Sequence, residues 1–357
     1  MRINNNDLHS RVKRLEELMS STTNEVKKLE LSRDIRLLKL MLNYTEGTNY
    51  EVDSINLLFP KLMNESNRIL MNFFSKNSVE IYKSLYGYSS GVKLPWRITL
   101  DRRITDIEYD KLLMDFFKKY DSRLLDIYES LKSSKRIETN PKKYNLSSGS
   151  LGLNVHLITS DESFVFSRFN NKISTSSIVP HEIGHSFLYQ GSNNIYDFMI
   201  RNGSLFSEAY SIFLEMIFFD YLKDTRYSKS AFKAEYSKLD SFLAITEYLH
   251  SIILLFENMT LRDGKLYLFS SMVADTYAAK LVLSNVLAMY FVDLYRNDKK
   301  QFDREINKFF EMYGCSNDEE KLKYFGLDTM VDGTNNVFNS YIKLYKKIKH
   351  HLMFYFM

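Results

Sequence analysis

The segment IVPHEIGHSF, residues 178–187, places two histidines four positions apart, with a glutamate directly after the first. On an α-helix, residues four apart share one face, so His181 and His185 can direct ring nitrogens at one ion. Glu182 lies about 100° around the helix from His181, where its carboxylate can reach a water molecule on that ion. The pattern predicts a zinc site at which Glu182 acts as general base in hydrolysis.

A catalytic zinc usually has three protein ligands and an open position for water, so one more ligand is expected. The segment SLFSEAYSIFLEMIFF, residues 204–219, is helical in pattern and largely apolar, which makes a glutamate within it costly to bury unless it is paired. We favour Glu208, because it falls near the helix start and follows His185 after 22 residues. Glu215 is then expected to orient a histidine ring. The alternative for each glutamate is a side chain that faces solvent.

The elements that position these residues are predicted to be mainly helical, because four prolines and 12 glycines leave little room for a β-sandwich. Apolar residues at helical spacing predict helices at about 7–42 (one long helix or two abutting ones), 52–75, 78–86, 105–135, 177–190, 204–222, 228–256, 265–295, 299–313 and 335–355. Residues 87–103 are predicted to form a loop, and Thr105 with Glu108 has capping-box spacing.

A β-hairpin is predicted directly before the histidine motif. Apolar residues alternate from Leu151 to Leu157, the polar stretch SDES follows, and a second apolar run extends from Phe164 to Phe169. We expect an N-terminal helical region over residues 1–90 and a catalytic region over residues 91–357, joined in one continuous body.

The composition argues against several other classes of protein. The 48 basic and 44 acidic residues are interleaved, which gives no case for nucleic-acid binding. No apolar stretch is long enough to cross a bilayer. The single cysteine, Cys315, excludes an internal disulfide, and the start MRINNNDLHSRVKRLEE lacks the apolar core of a signal peptide, so a cytoplasmic location is expected. The sequence assigns no oligomeric state.

The residues also carry a family resemblance. The run YNLSSGSLGLNVHLITSDESFVFSRFNNKISTSSIVPHEIGHSFLY, residues 144–189, resembles the hairpin, polar connection and HExxH helix of the oligoendopeptidase F and thimet oligopeptidase family of zinc metallopeptidases. FSEAYSIFLEMIFF resembles the second metal helix of that family, whose first glutamate is the third zinc ligand and falls on Glu208. DTYAAKLVLSNVLA, residues 275–288, is similar to its tyrosine-bearing helix, and KLKYFGLDTM resembles its closing segment. The likeness covers roughly residues 82–330.

The resemblance implies a mainly α fold, a multi-helix zinc-peptidase body with a small β-hairpin or sheet before the HExxH helix and a channel that admits short, unfolded peptides. Much of the N-terminal region of the longer members is not matched, so one wall of the channel is expected to be reduced.

The sequence also departs from the family pattern near Tyr277, where the family's histidine and several of its tyrosines are not matched. The group that stabilises the developing oxyanion is therefore not fixed by the resemblance. Tyr277 is the first candidate by position and Tyr267 the second, and each is equally well explained as a core tyrosine. His156 and His250 are expected to be structural histidines.

Two rival functions fit the same motif. One is a regulatory zinc peptidase that cuts a single partner protein, and the other is a helical interaction protein in which the ion is structural. The intact Glu182 argues against the second rival, because a structural site needs no base. The leading hypothesis is therefore a zinc-dependent endopeptidase with a peptide substrate.

Overall fold

The structure is a computed structural model that describes residues 2–48, 50, 101–139, 151–192, 194–260, 269–314 and 317–327, together with 340, 343 and 347. Within these ranges, the side chains of residues 203, 243, 246–260 and 269–279 are not described. The helices predicted at 52–75 and 78–86, most of that at 335–355 and the loop predicted from residue 87 to 100 lie outside the described residues.

Helices dominate the described residues, and the mainly α class expected from the sequence is confirmed. The described residues form eleven α-helices: α1 (Asn5–Ser21), α2 (Glu25–Thr45), α3 (Asp106–Tyr120), α4 (Ser122–Ser133), α5 (Ile178–Tyr189), α6 (Ile195–Gly203), α7 (Ala209–Lys223), α8 (Ser228–Thr260), α9 (Phe269–Asn297), α10 (Lys299–Tyr313) and α11 (Asp318–Tyr324). None of the described helices has both the length and the apolar character needed to span a membrane.

A small sheet lies directly before the histidine helix in the chain. Its strands are β1 (Ile137–Glu138), β2 (Gly152–Leu157) and β3 (Glu162–Ser167), in the order β1-β3-β2. Strands β2 and β3 form the predicted antiparallel hairpin, whereas β1 pairs with β3 in parallel. Among the described residues, β2 is therefore an edge strand.

The described residues form two compact units, the first made of those up to residue 50 and from 103 to 202, and the second made of residues 101–102 and those from 203 onward. In the first, α1 and α2 pack on one face of the hairpin, and α5 packs against both hairpin strands. The apolar core under α1 and α2 includes Leu8, Leu38, Met41, Val155, Leu157, Phe164 and Phe166. The second unit contains α7 to α11, in which α7 packs against α8 and α9. The division predicted at residue 90 stays a prediction.

Two predicted helical segments each contain two helices, which for residues 7–42 is one of the two predicted alternatives. Residues 7–42 form α1 and α2, which are separated at residues 22–24, and the Asn24 side chain caps α2 by accepting from Lys27 N. Residues 105–135 were predicted as one helix, and this is wrong. Asp121 is extended and its side chain accepts a hydrogen bond from Arg123 N at 2.9 Å, so a new helix begins there.

Candidate metal centre

Helix α5 carries the histidine motif and is fixed by contacts at both of its ends. At its start, His181 N donates to Ser177 O at 3.0 Å, and the Tyr109 hydroxyl of α3 donates to Ser176 O at 2.5 Å. Near its end, the Arg123 guanidinium of α4 lies 5.0 Å from the centre of the Phe187 ring. The Tyr109 and Arg123 contacts hold the two ends of the helix against α3 and α4.

The two imidazoles of the motif meet. His181 Nε2 and His185 Nε2 are 3.1 Å apart, and the rings are inclined at 74° with centroids 4.9 Å apart. Two nitrogens that each lie about 2.05 Å from a tetrahedral zinc are separated by about 3.3 Å. His185 is buried and His181 is half-buried. The pair therefore fits a zinc ion without rearrangement of the helix.

Tyr189 supports the second histidine. Its ring stacks on that of His185, with centroids 5.7 Å apart and an interplanar angle of 12°. Its hydroxyl donates to Asn202 Oδ1 at 2.9 Å. Tyr189 was not predicted to support the site, although its position one turn after His185 gives the signal. This contact restricts the orientation of the His185 ring.

The proposed base, Glu182, is only 4% exposed and lies against β2. The backbone at this residue is held by the strand, because Asn154 Nδ2 donates to Glu182 O at 2.9 Å. The same amide donates to Ser186 Oγ at 2.7 Å. The sequence did not predict this contact. The only indication was a polar residue, Asn154, among the apolar residues of the first predicted strand.

Glu208 lies immediately before α7, and its carbonyl accepts from Ile212 N at 2.9 Å. Ligand atoms of His181, His185 and Glu208 all lie within 4.8 Å of one another, so a group able to hold a metal ion is present. Glu215 is 3% exposed and pairs with Lys238 Nζ at 2.7 Å. A pairing with a lysine was not predicted for Glu215.

A buried polar cluster supports the turn that leads to Glu208. Asp318 accepts from Ser204 Oγ at 3.0 Å and from Leu205 N at 3.1 Å, and Lys321 Nζ donates to Ser204 Oγ at 3.1 Å. Burial lowers the pKa of Lys280, while the charges of Glu208 and Asp318 oppose that shift. The contacts join residues more than 100 positions apart, so no local sequence pattern indicates them.

The remaining candidates have different placements. The backbones of Tyr277 and His250 lie in α9 and α8, but their side chains are outside the described residues, as is all of Tyr267. His156 is 2% exposed, its Nδ1 lies 3.1 Å from Ser163 Oγ, and its ring stacks on Phe198. Burial lowers the pKa of His156 to about 4, and the charges of Arg33 and Arg201 add to the shift.

Solved structures that carry peptidase names share this fold. The chain aligns over 97% of its length with a protein from Bacillus anthracis str. Ames whose provisional name is oligoendopeptidase F, at a TM-score of 0.51 and 14% identity. It aligns over 98% with a provisionally named peptidase from Chlamydophila abortus, at a TM-score of 0.50 and 15% identity. It aligns over 96% of its length with inhibitor-bound PZ peptidase A, at a TM-score of 0.50 and 13% identity.

The resemblance to oligoendopeptidase F seen in the sequence is thereby confirmed at the level of the fold. The chain spans 62% of the length of the first two structures and 64% of the third. No protein-family model and no curated protein sequence matches the chain.

Proposed function

We propose that the protein is a zinc-dependent endopeptidase that hydrolyses short, unfolded peptides. The observation that carries the proposal is the 3.1 Å approach of His181 Nε2 and His185 Nε2, with a Glu208 carboxylate oxygen in the same group. Two imidazoles and one carboxylate form a ligand set that zinc uses in hydrolases, with one position left for water. The peptidase fold of the similar structures supports a peptide bond as the target.

The chemistry divides between the ion and the buried carboxylate. His181, His185 and Glu208 would hold a zinc ion, which would lower the pKa of a bound water and polarise a carbonyl oxygen. Glu182 takes a proton from the attacking water as the new carbon–oxygen bond forms, and it returns that proton to the amine nitrogen as the carbon–nitrogen bond breaks. Tyr277 is proposed to donate a hydrogen bond to the carbonyl oxygen as negative charge develops there.

The substrate backbone is proposed to lie along β2. Strand β3 has a strand on each side, whereas β2 pairs only with β3 among the described residues. An extended peptide can add to an open strand edge through main-chain hydrogen bonds, which gives affinity with little dependence on side chains. This arrangement suits an enzyme that accepts many short peptides.

The test is hydrolysis of a quenched peptide library by the wild type and by Glu182→Gln. We expect the wild type to cleave, a chelator to abolish cleavage and added zinc to restore it. Glu182→Gln should retain zinc and lose activity by at least about 100-fold, because the amide cannot accept the proton. Cleavage at the wild-type rate by this variant would refute the role of Glu182.

Two further outcomes separate the rivals. Zinc binding with cleavage of one protein and of no library peptide would favour the regulatory peptidase, and zinc binding with no hydrolysis of either kind would overturn the catalytic proposal. Tyr277→Phe should lower kcat more than Tyr267→Phe does. The reverse order would move the oxyanion role to Tyr267.

A further inference from the structure

One face of β2 contacts successive turns of helix α5. Alternate residues of a strand point to the same side, so Asn154 and His156 share a face. Asn154 Nδ2 donates to Glu182 O at 2.9 Å and to Ser186 Oγ at 2.7 Å. The His156 ring centroid lies 6.0 Å from that of Tyr189, further along the same helix. The strand therefore contacts α5 at successive turns rather than at one point.

Gly152 occupies the same face two residues before Asn154, and Glu182 fills the space beside it. A Cβ atom added at Gly152 would overlap Glu182 Oε1 and lie 2.7 Å from Ile178 Cγ2. Carbon atoms in favourable contact lie about 3.5–4.0 Å apart. Gly152 is not among the glycines with positive φ, so its backbone does not require glycine. The neighbouring carboxylate therefore explains the absence of a side chain.

We propose that Gly152 and Asn154 are positioning residues that set where the Glu182 carboxylate lies. Asn154 holds the helix backbone at Glu182 and so fixes the rotation of α5, while Gly152 allows the carboxylate to lie directly against the strand. The inference rests on the proposed function for its catalytic consequence. A base must come within about 3 Å of the proton that it removes. A displacement of about 1 Å can cost on the order of 100-fold in rate.

The first experiment measures the contact without reference to catalysis. Gly152→Ala is made in three metal-free backgrounds: wild type, Glu182→Gln and Glu182→Ala. Glutamine keeps the size of the side chain, whereas alanine removes the nearer of the two groups that the added methyl meets and leaves only Ile178 Cγ2 close to it. We expect Tm to fall on the order of 3 °C in the first two backgrounds and by less than half of that in the third, because most of the overpacking is relieved there. An equal loss in all three backgrounds, or no loss in any, overturns the contact.

The second experiment measures kcat and KM separately. Gly152→Ala and Asn154→Ala should lower kcat by on the order of 100-fold, with KM and zinc content at wild-type values. Leu113→Ala is the control, because Leu113 is fully buried in α3, outside the strand and the helix that carry the proposed residues. It should lower Tm and keep kcat. An unchanged kcat in Gly152→Ala, or an equal loss of kcat in Leu113→Ala, overturns the positioning role.

The two experiments separate this inference from the proposed function. If the wild type hydrolyses no peptide in any assay, the proposed function fails. The Tm values of Gly152→Ala in the three backgrounds then decide alone whether Gly152 sets the position of the carboxylate. If the wild type is active but the loss of Tm does not depend on residue 182, the inference fails and the proposed function stands.

Discussion

Arg296 donates two hydrogen bonds of 2.6 Å each to the carboxylate of Asp220, which joins α9 to α7. The same guanidinium donates to Glu235 of α8 at 2.8 Å, and Lys223 pairs with both carboxylates. Burial alone raises the pKa of Asp220, but Arg296 and Lys223 lower it below its usual value overall. The cluster thus connects three helices of the second unit through largely buried charges.

Asp220→Asn should therefore destabilise the protein. It leaves Arg296 with a weaker partner at a site where both side chains are less than one third exposed, 25% for Asp220 and 18% for Arg296. We expect the free energy of unfolding to fall by about 2 kcal/mol, below the cost of breaking a fully buried pair because water screens the charges in part. Urea unfolding measures the loss.

The control for that prediction is Asp303→Asn. Asp303 pairs with Lys299 on the surface of α10, with both side chains more than half exposed. Its substitution should change the free energy of unfolding by less than about 0.5 kcal/mol. Similar losses from the two variants would contradict the importance of the buried cluster.

His156 should make stability depend on pH in the acid range. Its pKa is about 4 in the folded chain and about 6.5 when unfolded, so the unfolded chain binds more protons between these values. Its contribution is fully present above about pH 6.5 and is lost as pH falls through 4, by up to about 3 kcal/mol. His156→Gln should flatten this part of the pH profile of urea unfolding. Equal slopes in the wild type and in His156→Gln would contradict the prediction.

Zinc affinity should distinguish Glu208 from Glu215. Glu208→Ala removes a proposed ligand, and we expect the dissociation constant for zinc to rise by at least about 100-fold. Glu215→Gln changes a residue that pairs with Lys238, and it should raise the constant by less than about tenfold. Competition with a zinc-binding dye measures both. A larger effect at Glu215 would reverse the assignment.

Asp318 should influence zinc binding from a distance. It accepts hydrogen bonds from Ser204 and Leu205, in the turn that leads to Glu208. Asp318→Asn weakens that support and should raise the zinc dissociation constant by about tenfold. Glu319→Gln alters the exposed neighbour on the same helix and serves as the control. An unchanged constant in Asp318→Asn would show that the turn holds without the aspartate.

Strong local patterns made parts of the fold predictable. The alternation from Leu151 to Leu157 identified β2, because Leu153, Val155 and Leu157 pack in one core, although Leu151 is exposed. The spacing of His181 and His185 predicted their meeting, because helix geometry alone brings such a pair together. A mainly helical fold also followed from these periodic segments.

Weak or distant signals explain what was missed. Strand β1 has two residues, too few to show a period. Helix α6 was not predicted, although Asn194 caps it by accepting from Tyr196 N and Asp197 N. The contact of Gly152 with Glu182 and the Asp318 cluster depend on tertiary packing, which local patterns do not contain.

The hairpin before the histidine helix is covered on both sides, by α5 and by the amino-terminal pair α1 and α2. The first 45 residues are consequently part of the same folding unit as the hairpin. Deleting them would leave Val155, Leu157 and Phe164 facing water, and the strand that carries Gly152 and Asn154 would lose the core that packs against it. A histidine helix grafted into another scaffold therefore needs the hairpin together with α1 and α2.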